Sequence, residues 1–289
     1  MRNSFVLAMS LFMIFLLAGC LTAAAPVPPP AAAPTPAAPS AAPSPTLTML
    51  PVPAASPSPA APASTATNLP AAAVCSPLQD IPLARLSEII SNPYHPPQPG
   101  SDDPHHGVDL ADLLAGSQVA VAGRPVQAAL AGQVAAVIQD RFPYGNAILI
   151  ETPLEETTAG WRDRVQIPAA APTPARVSPL TCPPASEPFN GAASRSIYVL
   201  YAHLQAFPAL RVEDIVTCGQ TIGAIGSSGN ALNPHLHLEV RVGPAGLRMT
   251  SMAHYDASAT LEEMSNYCLW RISGWFQMID PFMILNSGQ

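Results

Sequence analysis

The chain has 289 residues, of which 48% are hydrophobic and 11% charged. Its formal net charge is -7, with an isoelectric point near 5.4. All 12 basic residues are arginine and none lies in a basic run, which argues against a nucleic-acid partner.

The amino-terminal residues predict export from the cytoplasm. A short positive start precedes an apolar run over residues 5–17, which is too short to span a bilayer. The sequence Leu17-Ala18-Gly19-Cys20 resembles a bacterial lipobox, which implies cleavage before Cys20 and lipid on its thiol. The alternatives are an ordinary secretory signal or an uncleaved anchor. We predict a signal peptide over residues 1–19 and an extracytoplasmic, membrane-anchored lipoprotein at the cell envelope.

Residues 20–73 are rich in proline, alanine, serine and threonine and show no periodic apolar pattern. Because frequent prolines interrupt the helix that alanine favours, we expect a disordered, semi-extended tether with polyproline II character. At about 3.1 Å per residue, its reach is on the order of 150 Å. A passive spacer or a glycosylated stalk has the same composition. Residues 74–289 remain, enough for one domain with a substantial core.

The apolar patterns of this domain predict mainly β structure. Short strands separated by Gly, Pro and Asn turns are predicted across residues 119–150 and 197–241. One helix is predicted over residues 80–91 with Asp80 as its cap, and another begins at a capping box in residues 260–263. The predicted fold class is therefore mainly β, an antiparallel β-sheet domain with short peripheral helices.

Five of the seven histidines fall into three short clusters, which contain His105 and His106, His203, and His235 and His237. If residues 232–242 form a strand, side-chain alternation places both histidines of the third cluster and Glu239 on one face. In the first cluster, Gly107 allows a tight turn, so that His105 and Asp109 can converge. A third ligand from the distant strand would complete a site.

Two imidazoles and a carboxylate are typical of catalytic zinc, which keeps a water in its fourth position, whereas structural zinc is usually closed by four ligands. Each motif alone has another reading. An isolated H-x-x-x-D is a metal site in roughly one case in ten, an H-x-H can decorate a strand surface, and His203 can be a strand-end histidine bonded by the backbone. Their combination in this order favours one site.

The order H-x-G-V-D, Y-A-H-L and P-H-L-H-L-E, with a glycine-rich stretch over residues 219–230, resembles the lysostaphin/LytM-type (M23) zinc endopeptidases. The resemblance covers about residues 100–245, and residues 280–285 are similar to the family's closing segment. It implies a LytM-type peptidase domain that holds one zinc ion and hydrolyses peptide bonds of bacterial peptidoglycan, in the cross-bridge or the stem peptide.

Carried over residue by residue, the resemblance implies that His105, Asp109 and His237 bind the zinc and that His203 and His235 are the catalytic pair. The chemistry is consistent with those roles, because zinc lowers the pKa of its water toward about 7. A neutral imidazole can accept a proton, and a protonated one can stabilise an oxyanion or protonate a leaving amine. Which histidine does which stays open at this point.

The remaining polar residues near the motifs receive minor roles. His106 is expected at the variable, exposed position of its motif. Glu239 is expected beside a ligand or on the strand face, not as a ligand itself. His95 and His254 are expected in loops or on the surface.

Cys20 belongs to the lipobox, which leaves Cys75, Cys182, Cys218 and Cys268 as disulfide candidates in a compartment where disulfides persist. Four cysteines allow three connectivities. We expect Cys75 to pair with Cys268 and tie the ends of the domain, and Cys182 to pair with Cys218 and pin an insertion. Free buried thiols are the alternative.

Two segments exceed the compact family pattern, at about residues 152–196 and 242–274. Both are expected to leave the domain near the site. Our hypothesis is that residues 152–196 border the groove and restrict access, because long loops in compact domains are usually functional or disordered. A disordered surface insertion is the alternative.

Taken together, the sequence predicts a monomeric zinc metalloendopeptidase that is anchored to the membrane through lipid on Cys20 and remodels the cell wall. The alternative is a non-catalytic LytM-type regulator that binds and activates a cell-wall amidase. A wall-binding structural lipoprotein would leave the histidines without a role. A serine hydrolase is disfavoured because no G-x-S-x-G elbow occurs.

Overall fold

The computed structural model describes residues 73–95, 102, 105–114, 119–169, 181–183 and 194–288. The predicted signal peptide, Cys20 and nearly all of the predicted tether lie outside the described residues. Within the described ranges, no helix combines the length and the apolar character needed to cross a membrane.

Ten antiparallel strands form two sheets in the described part of the chain: β1 (Ile90–Asn92), β2 (Val108–Leu110), β3 (Pro125–Gln127), β4 (Gly132–Arg141), β5 (Gly145–Pro153), β6 (Arg195–Leu204), β7 (Ile215–Val216), β8 (Thr221–Ala224), β9 (Leu236–Pro244) and β10 (Gln277–Ile279). The main sheet has the order β1-β2-β9-β6-β5-β4-β7, and β10 also pairs with β9. Strands β3 and β8 form the small sheet. The predicted mainly β, antiparallel fold is confirmed.

Short helices surround the sheets: α1 (Ala159–Val165), α2 (Leu261–Arg271), α3 (Pro281–Leu285), and 3-10 helices at Leu83–Ile89, Leu154–Glu156 and Asn286–Gly288. The predicted capping box is confirmed, since the Glu263 backbone N–H donates to Thr260 Oγ1 at 3.1 Å and the Thr260 N–H donates to the Glu263 carboxylate at 2.9 Å. Asp80 as a cap was wrong. Its backbone has a φ of 63°, so it forms a left-handed turn before Pro82, which is the N-cap residue.

The main sheet has a hydrophobic core on each face. Because side chains alternate along β9, Leu236, Leu238 and Val240 pack into the first core. The second core covers the other face and contains residues that follow β9, namely Met249, Met252, Tyr267, Trp270 and Phe276. Every residue of β9 is buried as a result. The segment after β9 is thus a cover for the sheet face that carries His237, not a peripheral loop.

The segment of residues 152–196 leaves the sheet far from His237, so the predicted exit beside the site was wrong. Arg195 pairs with Pro244, whereas His237 pairs with Ala202, seven residues further along β6. At about 3.3 Å per residue, this separation is about 23 Å. The first part of the segment forms α1, whose Trp161 and Val165 pack into the first core.

The disulfides join Cys75 to Cys218 and Cys182 to Cys268, so the expected pairing was wrong although all four cysteines are paired. The physical reason is the two-faced sheet. Cys75 lies between core residues of the first face and its N–H donates to Ala129, beside the turn that carries Cys218. Cys268 lies in α2 on the second face, where Cys182 from the 152–196 segment reaches it.

Two loops near the end of β6 pack backbone against backbone at glycines. Gly145 and Gly229 have φ values of +67° and +69°, and a Cβ on Gly229 would lie 2.3 Å from the Gly145 nitrogen. The Asn230 N–H donates to the Pro143 carbonyl at 2.8 Å across the same contact. No side chain larger than hydrogen fits at Gly229 without a backbone shift.

We therefore expect Gly229→Ala to destabilise the fold more than Gly246→Ala. Both glycines have positive φ, so each alanine costs about 1–2 kcal/mol of backbone strain, but a Cβ on Gly246 meets nothing within 4 Å. Gly229→Ala adds overpacking of about 1–3 kcal/mol. Urea denaturation of both purified variants measures the difference. Equal losses of unfolding free energy would contradict the close approach.

Candidate metal centre and groove

The pairing of β2 with β9 brings two polar side chains together on one sheet face. Asp109 lies directly opposite His237 in the register. Gly107 permits this approach, because a Cβ there would lie 2.4 Å from the Leu238 carbonyl oxygen. Gly107 is therefore needed because its backbone lies close to β9, and not because of the tight turn that the sequence suggested.

His105 joins this pair from the loop before β2. Its Nε2 lies 2.9 Å from Asp109 Oδ1 and 3.1 Å from His237 Nδ1, and the Nδ1 of His237 lies 2.7 Å from Asp109 Oδ1. These are the only three His, Cys, Asp or Glu residues in the described ranges that converge closely enough to hold a metal ion. The three sequence-predicted ligands are thus brought together.

Hydrogen bonds on the outer side of each imidazole fix which nitrogen faces inward. The Nδ1 of His105 contacts the Pro93 carbonyl at 3.2 Å, and the Nε2 of His237 contacts Glu239 Oε1 at 3.1 Å. Since carbonyl and carboxylate oxygens only accept, both outer nitrogens carry a hydrogen, and each inner nitrogen offers a lone pair once any proton that it shares with Asp109 has left. Two nitrogens and one carboxylate oxygen then converge, a donor set that fits zinc.

The protonation of this cluster follows from burial and hydrogen bonding. Burial raises the pKa of Asp109, but hydrogen bonds from His105 and His237 outweigh it and hold the pKa well below its usual range. Burial lowers the pKa of His237, but hydrogen bonds to Asp109 and Glu239 raise it to about 9. In a metal-free form, a proton therefore occupies His237 at neutral pH and offsets the two carboxylates.

Glu239 is fully buried behind His237 and is satisfied by five side chains. Its Oε1 accepts from His237, from the Tyr144 hydroxyl at 3.1 Å and from Arg271 Nη1 at 2.9 Å. Its Oε2 accepts from Trp270 Nε1 at 2.9 Å and from Arg241 Nη2 at 3.0 Å. Burial raises the pKa of Glu239, but the two arginines hold it well below its usual range. Glu239 lies as expected, beside a ligand.

His106 points away from this cluster and is buried, so its expected exposure was wrong. Its Nδ1 accepts from Arg241 Nη2 at 2.6 Å. Burial and the neighbouring Arg241 and Arg271 lower its pKa to about 2, so the ring is neutral. The reason for its burial is that Arg241 continues the period of two on β9 and needs an acceptor beneath the sheet face.

His203 reaches the cluster through a β-bulge. Asn146 pairs with Leu204 and Ile148 with Tyr201, so Ala202 and His203 together oppose Ala147. His203 has a φ of 60°, an uncommon value for a non-glycine residue that is typical of functional sites. Without the bulge, alternation would place His203 and Ala202 on opposite faces.

His203 and His235 face each other beside the three converging residues. Their ring centroids are 4.8 Å apart, and the His203 ring lies 5.6 Å from that of His237. Each Nδ1 donates to a backbone carbonyl at 2.8 Å, of Ser228 for His203 and of Asn233 for His235, which leaves Nε2 as the lone-pair nitrogen. Burial and the two neighbouring histidines lower the pKa of His203 to about 3.

His235 lies just before β9, which begins at Leu236 and not at residue 232. A bridge to Gly226 keeps it extended, so the predicted alternation with His237 still holds. Of the two remaining histidines, His95 is exposed as expected. His254 is buried and contacts the Thr181 carbonyl and the ring of Tyr267, so its expected surface position was wrong.

A groove of about 1160 Å³ opens over the cluster and is lined by all five motif residues. The lining includes the aliphatic side chains of Leu113, Val119 and Leu232, of which Leu232 is 99% exposed. It also includes the polar and aromatic side chains of Tyr144, Tyr255, Tyr267, Asp102 and Arg271. No described residue of the 152–196 segment lines the groove, and its predicted border role stays a prediction. The 242–274 segment does line it.

Several residues of the site were missed by sequence analysis. Arg241 could have been found, because it is the next same-face residue after Glu239 on β9. Asp102 precedes His105 by three residues, but nothing in the sequence indicates its partner. Tyr144, Trp270 and Arg271 come from distant segments, and no local pattern marks them.

Comparison with known proteins identifies the segment that carries His203 and the H-x-H motif. Peptidase family M23 matches residues 192–249. A curated relative, the DD-carboxypeptidase/endopeptidase Mpg of Neisseria meningitidis serogroup B, is 34% identical over 102 residues, which are 32% of this chain. The match spans 23% of that relative's length.

Solved structures show more distant likenesses. The catalytic domain of the antimicrobial peptidase lysostaphin from Staphylococcus simulans is 21% identical over 55% of this chain and 85% of its own length, with a TM-score of 0.32. A putative peptidase M23 from Pseudomonas aeruginosa is 15% identical over 74% of this chain and 55% of its own, also with a TM-score of 0.32. At such TM-scores the likeness to peptidase family M23 rests on the sequence matches alone. Residues 192–249, which carry His203, His235 and His237, are thus similar to peptidase family M23.

Proposed function

We propose that the protein is a zinc-dependent endopeptidase that hydrolyses peptide bonds of bacterial peptidoglycan, in the cross-bridge or the stem peptide, during cell-wall remodelling. The observation that carries the proposal is the convergence of His105 Nε2, Asp109 Oδ1 and His237 Nδ1 beside His203 and His235. The match of residues 192–249 to peptidase family M23 supports the reaction class. The name of the Neisseria relative, a carboxypeptidase and endopeptidase, supports a peptide substrate.

His105, Asp109 and His237 would hold the metal. A zinc ion bound there supplies a water whose pKa is lowered toward about 7 and polarises a carbonyl oxygen. His203 stays neutral at physiological pH because burial lowers its pKa, so its Nε2 can accept a proton. His235 stands across from it at the groove floor and can hold a proton toward the carbonyl oxygen or the leaving amine.

The groove supports a polymeric peptide substrate more than a compact metabolite. Its volume of about 1160 Å³ exceeds the 300–1,000 Å³ that is usual for small-molecule pockets. The groove lining combines aliphatic side chains with tyrosine and charged groups that already pair with one another. An extended chain with small apolar and polar side chains fits these walls.

The same proposal places the enzyme on the outer side of a membrane, as a monomer tethered through lipid on Cys20. The amino-terminal pattern of residues 1–20 and the proline-rich composition of residues 21–73 support this placement. The two disulfides are consistent with an oxidising compartment.

Substitution of single histidines separates metal binding from catalysis. His237→Ala removes a ligand nitrogen, so we expect zinc content to fall from about one per chain toward zero together with cleavage. His203→Ala leaves the three ligand atoms in place, so zinc is retained while release of soluble peptides from purified peptidoglycan falls by about 10²–10⁴-fold. His95→Ala, at an exposed loop histidine, is the matched control and should change neither quantity.

Zinc that binds without any cleavage by the native protein would refute the endopeptidase proposal. It would favour the regulatory alternative, which is then tested by adding purified cell-wall amidases. A native protein that binds no zinc would refute the metal site itself.

Zinc binding should release a proton and should strengthen as pH rises. The pKa of His237 is raised to about 9 in the metal-free form, so at pH 7 a proton must leave Nδ1 before that nitrogen can bind metal. Zinc affinity should therefore increase up to about pH 9 and level off above it. Calorimetry in buffers of different ionisation enthalpy measures the released protons. Proton release near zero at pH 7 would contradict the shared-proton cluster.

Lipid attachment is tested on the protein isolated from bacterial membranes. We expect mass spectrometry to find Cys20 as the first residue, with a thioether-linked diacylglycerol. Cys20→Ala should leave the protein unlipidated, and it should no longer partition with the membrane fraction. A free Cys20 thiol in the mature native protein would contradict the lipoprotein assignment.

A further inference from the structure

Two of the three proposed ligands are fixed by the sheet, and the third is not. Asp109 and His237 are ladder partners on β2 and β9. His105 precedes β2, and its own direct hold on neighbouring structure, apart from the two other ligands, is the contact of Nδ1 with the Pro93 carbonyl. The position of His105 therefore also depends on the contacts of the chain on either side of it, and on the β2 side His106 accepts from Arg241 Nη2 at 2.6 Å.

Asp102, three residues before His105, is held at the groove wall. The Arg271 Nε donates to Asp102 Oδ1 at 2.5 Å, and Nη2 donates to the Asp102 carbonyl at 3.0 Å. The hydroxyls of Tyr255 and Tyr267 donate to Oδ2 at 2.8 and 2.9 Å. Both the side chain and the backbone of Asp102 are thus fixed, and all of the groups that fix it come from the 242–274 segment.

The same guanidinium reaches the other half of the site. Its Nη1 donates at 2.9 Å to Glu239 Oε1, the oxygen that also accepts from His237 Nε2. The Arg271 side chain is only 9% exposed, and those of Asp102 and Glu239 are 11% and 0% exposed. Charge-assisted hydrogen bonds in such shielded surroundings are strong and directional.

We propose that Arg271 is a positioning residue for the metal site: it ties Asp102, three residues before His105, to the carboxylate that orients His237. The inference rests on the metal site proposed above and not on the identity of the substrate. It gives the 242–274 segment a role beyond covering the sheet, because α2 delivers a side chain that contacts both Asp102 and Glu239. Arginine suits this role, since its planar fork presents five donors in fixed directions and reaches two carboxylates at once, whereas an ammonium is a compact point charge.

The sign of the charge effect separates positioning from electrostatics. Removing a cation near the site would, by Coulomb attraction alone, strengthen the binding of a divalent metal. Loss of an outer hydrogen-bond partner weakens metal binding, typically by 10–100-fold. If a variant that lacks the Arg271 charge binds zinc more weakly, the cause is therefore a change in the positions of the ligands and not the lost charge.

The test compares Arg271→Met with Arg141→Met in the full mature protein. Arg141 also anchors α2, through Glu263 at 2.8 Å, but contacts neither Asp102 nor Glu239. We expect Arg271→Met to lower zinc affinity at least about tenfold, measured by competition with a chelating dye, and to alter the absorption bands of the cobalt-substituted site. Arg141→Met should lower the melting temperature of the metal-free protein but keep zinc affinity within about twofold of native. That change is much smaller than the roughly 10–100-fold loss that follows when an outer hydrogen-bond partner of a ligand is removed.

Arg271→Lys keeps the positive charge, and it tests the proposal even if Arg271→Met does not fold. Since the compact lysine ammonium lacks the fixed fork that holds both carboxylates, we expect Arg271→Lys to lose zinc affinity also, though less than Arg271→Met. Native affinity in Arg271→Lys, or an equal loss in Arg141→Met, would overturn the proposal. Native zinc affinity in Arg271→Met would overturn it as well, whether or not peptidoglycan is cut. A native protein that binds zinc without cutting peptidoglycan refutes the proposed function alone.

Discussion

The site depends on one buried carboxylate. Glu239 lies fully inside the protein, and burying an ionised carboxylate is tolerated only when it is paired and hydrogen-bonded. Its partners come from three separate parts of the chain: β9 itself, the residue before β5, and α2. Each of these parts must dock correctly for the charge to be satisfied. Removing one arginine would leave an uncompensated charge behind His237. The orientation of this imidazole and the packing of the second core therefore depend on each other.

This constraint explains why the polypeptide after β9 does not simply exit. The alternation of β9 puts His237, Glu239 and Arg241 on the same face, where a sheet open to water would screen them from one another. Residues 242–274 instead cover that face with an aromatic core and exclude water from the ion pairs. Arg241 then stacks on Trp270, with its guanidinium carbon 4.6 Å from the ring centroid, and hydrogen-bonds the carbonyl of the same residue. Residues 242–274 do not cover the end of the sheet that carries the motif histidines, so these histidines line the groove and are open to a substrate.

Local patterns in the sequence anticipated the parts of the molecule that local physics decides. The period of two on β9 predicted the common face of His235, His237 and Glu239, and the capping box predicted the start of α2. The predictions that were wrong all concern contacts between segments that are far apart in the sequence. The disulfide partners follow from which sheet face each cysteine segment covers, the burial of His106 follows from Arg241, and the exit of residues 152–196 follows from strand register. Arg271 carries no marker in the sequence, because an arginine in the last turn of a helix is usually a solvated residue that favours the helix dipole.

The proposed metal ligands and the proposed proton-transfer histidines are positioned by different parts of the structure. The proposed metal ligands are set by the β2–β9 register and by charged side chains behind it. The proposed proton-transfer pair is set by backbone carbonyls of one loop, because Ser228 orients His203 and Asn233 orients His235. That loop is clamped at Gly229 against Gly145, and the Ser228 hydroxyl bridges the Asn146 N–H and the Leu204 carbonyl. The strained φ of His203 is therefore maintained by the loop opposite it. A change in this loop would alter proton transfer and leave the metal in place, whereas a change in α2 would act on the metal first.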